Sequence, residues 1–128
     1  MNYRIYSGIL AASIFLTGFG GGENSMEVTA SAFTSTAGET DDTPTLAAWG
    51  DTLKPGMKAI AVSRDLIKVG LNHNQMVKIS GLDGEYRVLD KMNKRWKRKI
   101  DIYMGNNKEK AKKWGKQKVT IYWTNSNP

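Results

Sequence analysis

Six short stretches in which apolar and polar residues alternate, divided by turn residues instead of helical runs, leave this chain few folds to choose from. They are Val28 to Thr34, Met57 to Ser63, Met76 to Ile79, Glu85 to Leu89, Ile100 to Met104 and Lys118 to Trp123. A period of two in β-branched residues is the mark of strands with one face in a core. Pro55-Gly56 turns the chain into the second stretch, and Gly81-Leu82-Asp83-Gly84 joins the third to the fourth, with Asp-Gly as a strong hairpin signal. The Asn107–Trp114 segment reads as helix, capped by Asn107 and ended by Gly115. A parallel α/β sheet needs a helix at each crossover, so the pattern points to a compact all-β fold. The expected form is a six-stranded β-barrel with one short helix near the C-terminus.

With 128 residues, the chain has room for one such domain. Residues 1–20 carry Arg4 and then the apolar run Gly8 to Leu16, too short to span a bilayer, which is the layout of a secretory signal peptide. The glycine-rich residues 21–26 read as a flexible leader and residues 27–124 as the folded domain. The stretch from Ser35 to Gly56 is a long irregular insertion, and insertions of that length in small domains tend to carry function. Export without a single cysteine fits a bacterial periplasmic or cell-envelope protein whose core is held by packing alone.

The absence of cysteine, together with His73 as the one histidine, removes thiol nucleophiles, thiolate metal sites and multi-histidine clusters. His73 itself lies in a polar, turn-like stretch and reads as an exposed loop residue. Carboxylates remain. Asp90 and Asp101, eleven positions apart, each adjoin an apolar strand, while the segment between them is almost entirely basic. A carboxylate beside β-structure under cationic neighbours is an acid whose strength the fold can tune. The bland alternative is a pair of exposed strand-end carboxylates matched with nearby lysines. The net charge is +7, with the excess gathered in the last third, which points to an anionic polymer as partner. Nucleic acid is not expected, since no recognisable nucleic-acid motif accompanies the charge. Neither a metal nor a small-molecule cofactor is expected.

The ordered set Val28-Thr29-Ala30-Ser31-Ala32-Phe33, Thr40-Asp41 with Thr43-Pro44, Ala48-Trp49-Gly50, Ile60-Ala61-Val62, Val88-Leu89-Asp90 and Ile100-Asp101-Ile102-Tyr103-Met104-Gly105 resembles the 3D-domain family, named for three aspartates. That family is similar to the catalytic barrel of membrane-bound lytic transglycosylase A and of stationary-phase muralytic proteins. The resemblance implies a double-psi β-barrel that acts on peptidoglycan glycan strands, cutting the MurNAc to GlcNAc bond to leave a 1,6-anhydro sugar. It implies Asp101 as the acid/base, with Asp90 raising its pKa or orienting it. Thr34, Thr40 and Ser63 become candidate hydrogen-bond partners of carboxylate or sugar. Trp49 and Trp96 are candidate sugar-stacking rings; Trp49 is equally a core candidate, Trp96 reads as exposed or partly buried under lysine stems, and Trp114 and Trp123 read as core.

Two places depart from the family pattern. Ser63 stands where the first aspartate follows the Ala-Val strand, with Asp65 two residues on as the substitute. The glycine-rich stretch after the second aspartate reads Lys91-Met92-Asn93-Lys94-Arg95-Trp96. These departures suit the alternative of a non-catalytic module that binds peptidoglycan or other anionic envelope polymers or loosens the wall.

Overall fold

The computed structural model describes residues 15–16, 23–35 and 47–125. The expected signal peptide over 1–20, Phe15 and Leu16 apart, lies outside them, as does Thr40. The elements are β1 (Phe15–Leu16), β2 (Glu23–Phe33), β3 (Ala59–Val62), α1 (Arg64–Ile67), β4 (Met76–Ile79), β5 (Glu85–Lys91), β6 (Lys99–Tyr103), α2 (Lys108–Trp114) and β7 (Gln117–Thr124). Strands β2, β6, β3, β5, β4 and β7 follow one another around a ring that the β2–β7 pairing closes, so the fold is a six-stranded barrel. The two-residue β1 adds to β2 beside Asn24 and Ser25. Two of the six junctions, β2 with β6 and β3 with β5, are parallel. No helix among the described residues is long and apolar enough to cross a membrane.

Alternation decides which side chains enter the barrel. Val28 and Ala30 on β2, Ile60 and Val62 on β3, and Ile100 and Ile102 on β6 are buried together in one cluster with Val88 and Ile121. Burying a side chain of this size contributes roughly 1.5–3 kcal/mol. Truncating Ile102 to alanine would cost about 2–5 kcal/mol, because the closed ring cannot collapse onto the gap.

One boundary read from the sequence needs correction. Residues 21–26 were expected to be a flexible leader, yet β2 begins at Glu23, and Asn24 and Met26 are 1% and 5% exposed. The run Glu23-Asn24-Ser25 looks polar, but its backbone pairs with Thr124, Trp123 and Tyr122 of β7. The ladder with a distant strand outweighs the local composition. A single-turn helix, α1, is also present, which the alternation of the flanking strands did not show.

The helices sit at opposite ends of the ring, since α1 follows β3 and α2 follows β6, and those two strands run antiparallel. Leu66 of α1 and the following Leu71 are buried in the barrel core at their end. At the other, Ala111 and Trp114 of α2 pack on the core, and the Trp114 indole donates to the Ala30 carbonyl at 3.1 Å. Asn107 accepts from the Lys110 N–H at 3.0 Å, satisfying one of the free donors of the first turn of α2. No residue of α2 is fully buried, so its lysines face solvent.

A second cluster lies outside the barrel. Ala47, Leu53, Ala59, Leu89 and Tyr103 are buried together, with Phe33 and Met57 packed against them. It fastens the chain from Ala47 to Met57 onto the outer face of β3, β5 and β6, the face on which the aspartates stand.

Candidate active site

Strand β3 lies between β5 and β6, and Ala61 at its middle faces an aspartate on each side. It is opposite Asp101 in the antiparallel β6 and opposite Asp90 in the parallel β5. With strands about 4.8 Å apart, the two Cα atoms are roughly 10 Å from one another. Regular alternation would not have put both side chains on one face. Ile60 is opposite Val88 and Ala61 opposite Asp90, so Leu89 is an extra residue in β5. The bulge lets Leu89 join the outer cluster while Asp90 turns to the same side as Ala61 and Asp101.

Asp101 is half-buried. Its Oδ1 accepts a hydrogen bond from the Ser31 hydroxyl at 3.1 Å, Ser31 being its register partner on β2. Burial pushes its carboxyl above the usual carboxylate range; the Ser31 bond and the Lys99 charge pull it down, and the Asp90 charge pushes it up again. The net displacement is upward. Asp101 is therefore a weaker acid than an exposed aspartate, beside a hydroxyl that donates to it. Ser31 was not singled out from the sequence, although it is the fourth residue of the anchor segment that begins at Val28.

Asp90 plays a different part. Its Oδ1 accepts from the Ala48 N–H at 2.7 Å and from its own neighbour's Lys91 N–H at 2.9 Å. One carboxylate oxygen thus ties the start of the 47–57 segment to the strand. Both aspartates use backbone or hydroxyl donors, which differs from the bland expectation of exposed carboxylates matched with lysines.

The segment tied down by Asp90 carries Trp49. Its ring stacks on His73 with centroids 4.9 Å apart and an interplanar angle of 23°, and the Lys91 ammonium lies 5.5 Å from its centroid. Trp49 also packs against the barrel core, so it is a half-buried wall beside the aspartates. His73 is corrected from an exposed loop residue: it is partly buried, and its Nε2 pairs with Asp51 Oδ2. The pairing joins residues 22 apart in sequence, which local composition does not reveal.

Ser63 and Asp65 are not brought to the pair. Ser63 has no exposed surface; its hydroxyl accepts from the Lys99 N–H at 2.9 Å and its own N–H donates to the Lys99 carbonyl at 2.9 Å. It is a clip that joins the end of β3 to the start of β6. Asp65, on α1, accepts from the Arg98 N–H at 2.9 Å, holding a residue whose φ of +50° is in the left-handed region. Its other oxygen is buried without a partner. Thr34 follows the last residue of β2 and is half-buried. Thr40 lies outside the described residues.

The basic segment between the aspartates is ordered by its own bonds. Met92 N–H reaches the Val62 carbonyl, Arg64 Nε the Met92 carbonyl, and Arg95 N–H the Asn93 side chain. Trp96 is half-buried, with Lys99 Nζ at 3.8 Å and the Arg95 guanidinium at 4.8 Å from its ring centroid. Lys99 shares the face of Asp101 by alternation, so the cationic segment borders the acid.

Chemically, the arrangement offers one protonatable carboxyl, one anchored carboxylate, a hydroxyl and an aromatic wall. Among the described residues, no three His, Cys, Asp or Glu side chains gather in a way that could hold a metal ion. The chain matches no family model and none of the curated proteins.

Proposed function

We propose that this protein is an exported lytic transglycosylase of the 3D type, acting on peptidoglycan glycan strands in the periplasm or cell envelope, and that its barrel has the double-psi topology. Two parallel junctions in an otherwise antiparallel ring set the barrel apart from an up-and-down one and support that topology. The observation that carries the functional reading is Asp101, half-buried, bonded to Ser31 and raised in pKa, with Asp90 across Ala61. Protonated Asp101 donates to the glycosidic oxygen as the C1–O bond breaks. The same carboxylate then takes the proton of that sugar's 6-hydroxyl as it bonds to C1, closing the anhydro ring. No water enters, so a second carboxylate to activate one is not needed, and Asp90 is occupied in holding Ala48.

The test is incubation of the purified full chain, and of its Asp101→Asn variant, with sacculi, followed by mass spectrometry of the soluble products. Anhydro-muropeptides from the native protein alone are expected. Products one water heavier would make it a hydrolase.

A non-catalytic wall-binding module is the second reading, and Ser63 favours it. The place of the family's first aspartate holds a buried hydroxyl, and the basic Lys91–Lys99 segment offers cations to an anionic polymer. Absence of soluble product together with salt-sensitive pelleting on sacculi would select this reading.

A further inference from the structure

Ser63, Asp65 and the basic segment between the aspartates, the places where the chain departs from the 3D pattern, converge on one contact beside the acid pair. Lys99 stands two residues before Asp101 on β6, on the same outer face and about 7 Å away along the strand. A lysine stem of four carbons spans that gap, so its ammonium is within reach of the carboxyl. It goes elsewhere. Lys99 Nζ lies 3.8 Å from the centroid of the Trp96 ring, and among the described residues Lys99 and Asp101 form no ion pair. Three supports hold the contact. Ser63 binds both the N–H and the carbonyl of Lys99, which fixes the base of the side chain. Asp65 holds the N–H of Arg98, whose φ of +50° turns the chain between Trp96 and Lys99. Asn93 accepts the Arg95 N–H on its side chain and the Trp96 N–H on its carbonyl, a tight turn that sets the indole.

Which partner the ammonium takes matters to the acid, because an opposite charge within about 4–6 Å favours the ionised form of a carboxyl. Tryptophan is the side chain that best attracts a cation while carrying no charge itself. We infer that Trp96 is a positioning residue: it keeps the Lys99 ammonium on its ring and off Asp101, so that the acid has a hydroxyl for a partner in place of a counter-ion. The other groups around Asp101 are likewise engaged. From β2 it meets the Ser31 hydroxyl, from β3 Ala61 and from β5 Asp90, which is bonded to Ala48 and Lys91 N–H groups. The Lys91 ammonium, next along β5, is itself drawn to a tryptophan, 5.5 Å from the Trp49 centroid. Tyr103, the next residue on that face of β6, shares its hydroxyl with Ser35, and Asp51 of the 47–57 segment is paired with His73. Arg95 shares the Trp96 ring with Lys99, at 4.8 Å. Held there, Lys99 still lowers the Asp101 pKa through its charge, but less than burial raises it. The catalytic purpose of the contact rests on the transglycosylase reading; the contact itself does not.

The test is the carboxyl titration of Asp101 in the full chain, followed by NMR of ¹³C-labelled aspartate through a double-mutant cycle. Trp96→Leu removes the ring and keeps apolar bulk. It should move the Asp101 midpoint down by about one pH unit, the lower end of what an adjacent opposite charge does, as Lys99 turns to the carboxylate. Lys99→Gln should raise the midpoint, and adding Trp96→Leu to Lys99→Gln should change it no further. Lost burial alone would act equally in both backgrounds. Trp96→Phe, a weaker ring for a cation, should give a smaller fall and decides the matter if the leucine variant does not fold. A midpoint indifferent to Trp96, or a fall of the same size in the Lys99→Gln background, would overturn the inference. Digests of sacculi separate it from the cleavage reading: the alkaline limb of the pH–rate profile should move toward acid in Trp96→Leu and return when Lys99→Gln is added. Anhydro products with a midpoint indifferent to Trp96 overturn the inference and leave the cleavage intact. A midpoint that follows the cycle in a protein that releases no product supports the inference and sinks only the cleavage.

Discussion

The middle and the end of β3 treat their neighbouring carboxylates in opposite ways. At Ala61, a bulge and an antiparallel register bring Asp90 and Asp101 to one face, and burial holds the Asp101 carboxyl above its usual range. Two residues later, Ser63 is sealed against Lys99, and Asp65 is spent on the Arg98 N–H. The lesson is that sequence proximity to a motif does not make a carboxylate reactive. What matters is what holds it: Asp101 is held by a hydroxyl, whereas Asp65, like Asp90, is held by backbone N–H groups.

That contrast can be broken most directly by the rate. Asp101→Asn should lower release of anhydro-muropeptides by roughly 10²–10⁴-fold, the usual share of a general acid. Asp65→Asn, which keeps an oxygen for Arg98, should leave the rate within about threefold. Equal losses in the two variants would put Asp65 back into the site. Stability should show the reverse order. Ser63→Ala leaves the partly buried Lys99 N–H without its side-chain acceptor and should cost about 1–3 kcal/mol, read from denaturant midpoints, with little change in rate per folded molecule.

Smaller effects sharpen the division within the pair. Asp90→Asn keeps an acceptor for Ala48 and Lys91 but removes a charge that raises the Asp101 pKa. The proton-donating form of Asp101 should then be lost at lower pH, and the alkaline limb of the pH–rate profile should move toward acid. A limb that stays in place would mean the two carboxylates do not sense one another. The smallest effect is on melting temperature. The Asp101 pKa is higher folded than unfolded, so its favourable contribution is complete below the unfolded value of about 3.9 and fades as pH rises through the folded one. Asn is neutral throughout. Asp101→Asn should therefore melt above the native protein at neutral pH, with the gap closing on acidification.

Much of this architecture was legible before any coordinates. Alternation placed the buried faces of β3 and β6, because a period of two with Ile60 and Val62, or Ile100 and Ile102, has one way to turn inward. Asp-Gly placed the turn between β4 and β5, which pair antiparallel. Elimination and spacing drew attention to Asp90 and Asp101. The rest depended on pairings between distant residues. Leu89 looks like an ordinary strand residue, and only its partner strand makes it a bulge. Ser31 becomes an Asp101 partner through a parallel register with a strand 70 residues on, and His73 meets Asp51 and Trp49 across an irregular loop. Asn24 hides in a polar run whose burial is imposed by β7.

The closing pair of the ring sets the order of events in folding. Glu23 pairs with Thr124 and Ala30 with Gln117, nearly the whole described chain apart, so the ring cannot close until its last strand has been made. Contacts of such long range form slowly, since the entropy of bringing the ends together is lost before any of them is gained. Until then β2 and β7 present open edges that other chains can pair with. The barrel is therefore assembled only once both of its ends are present.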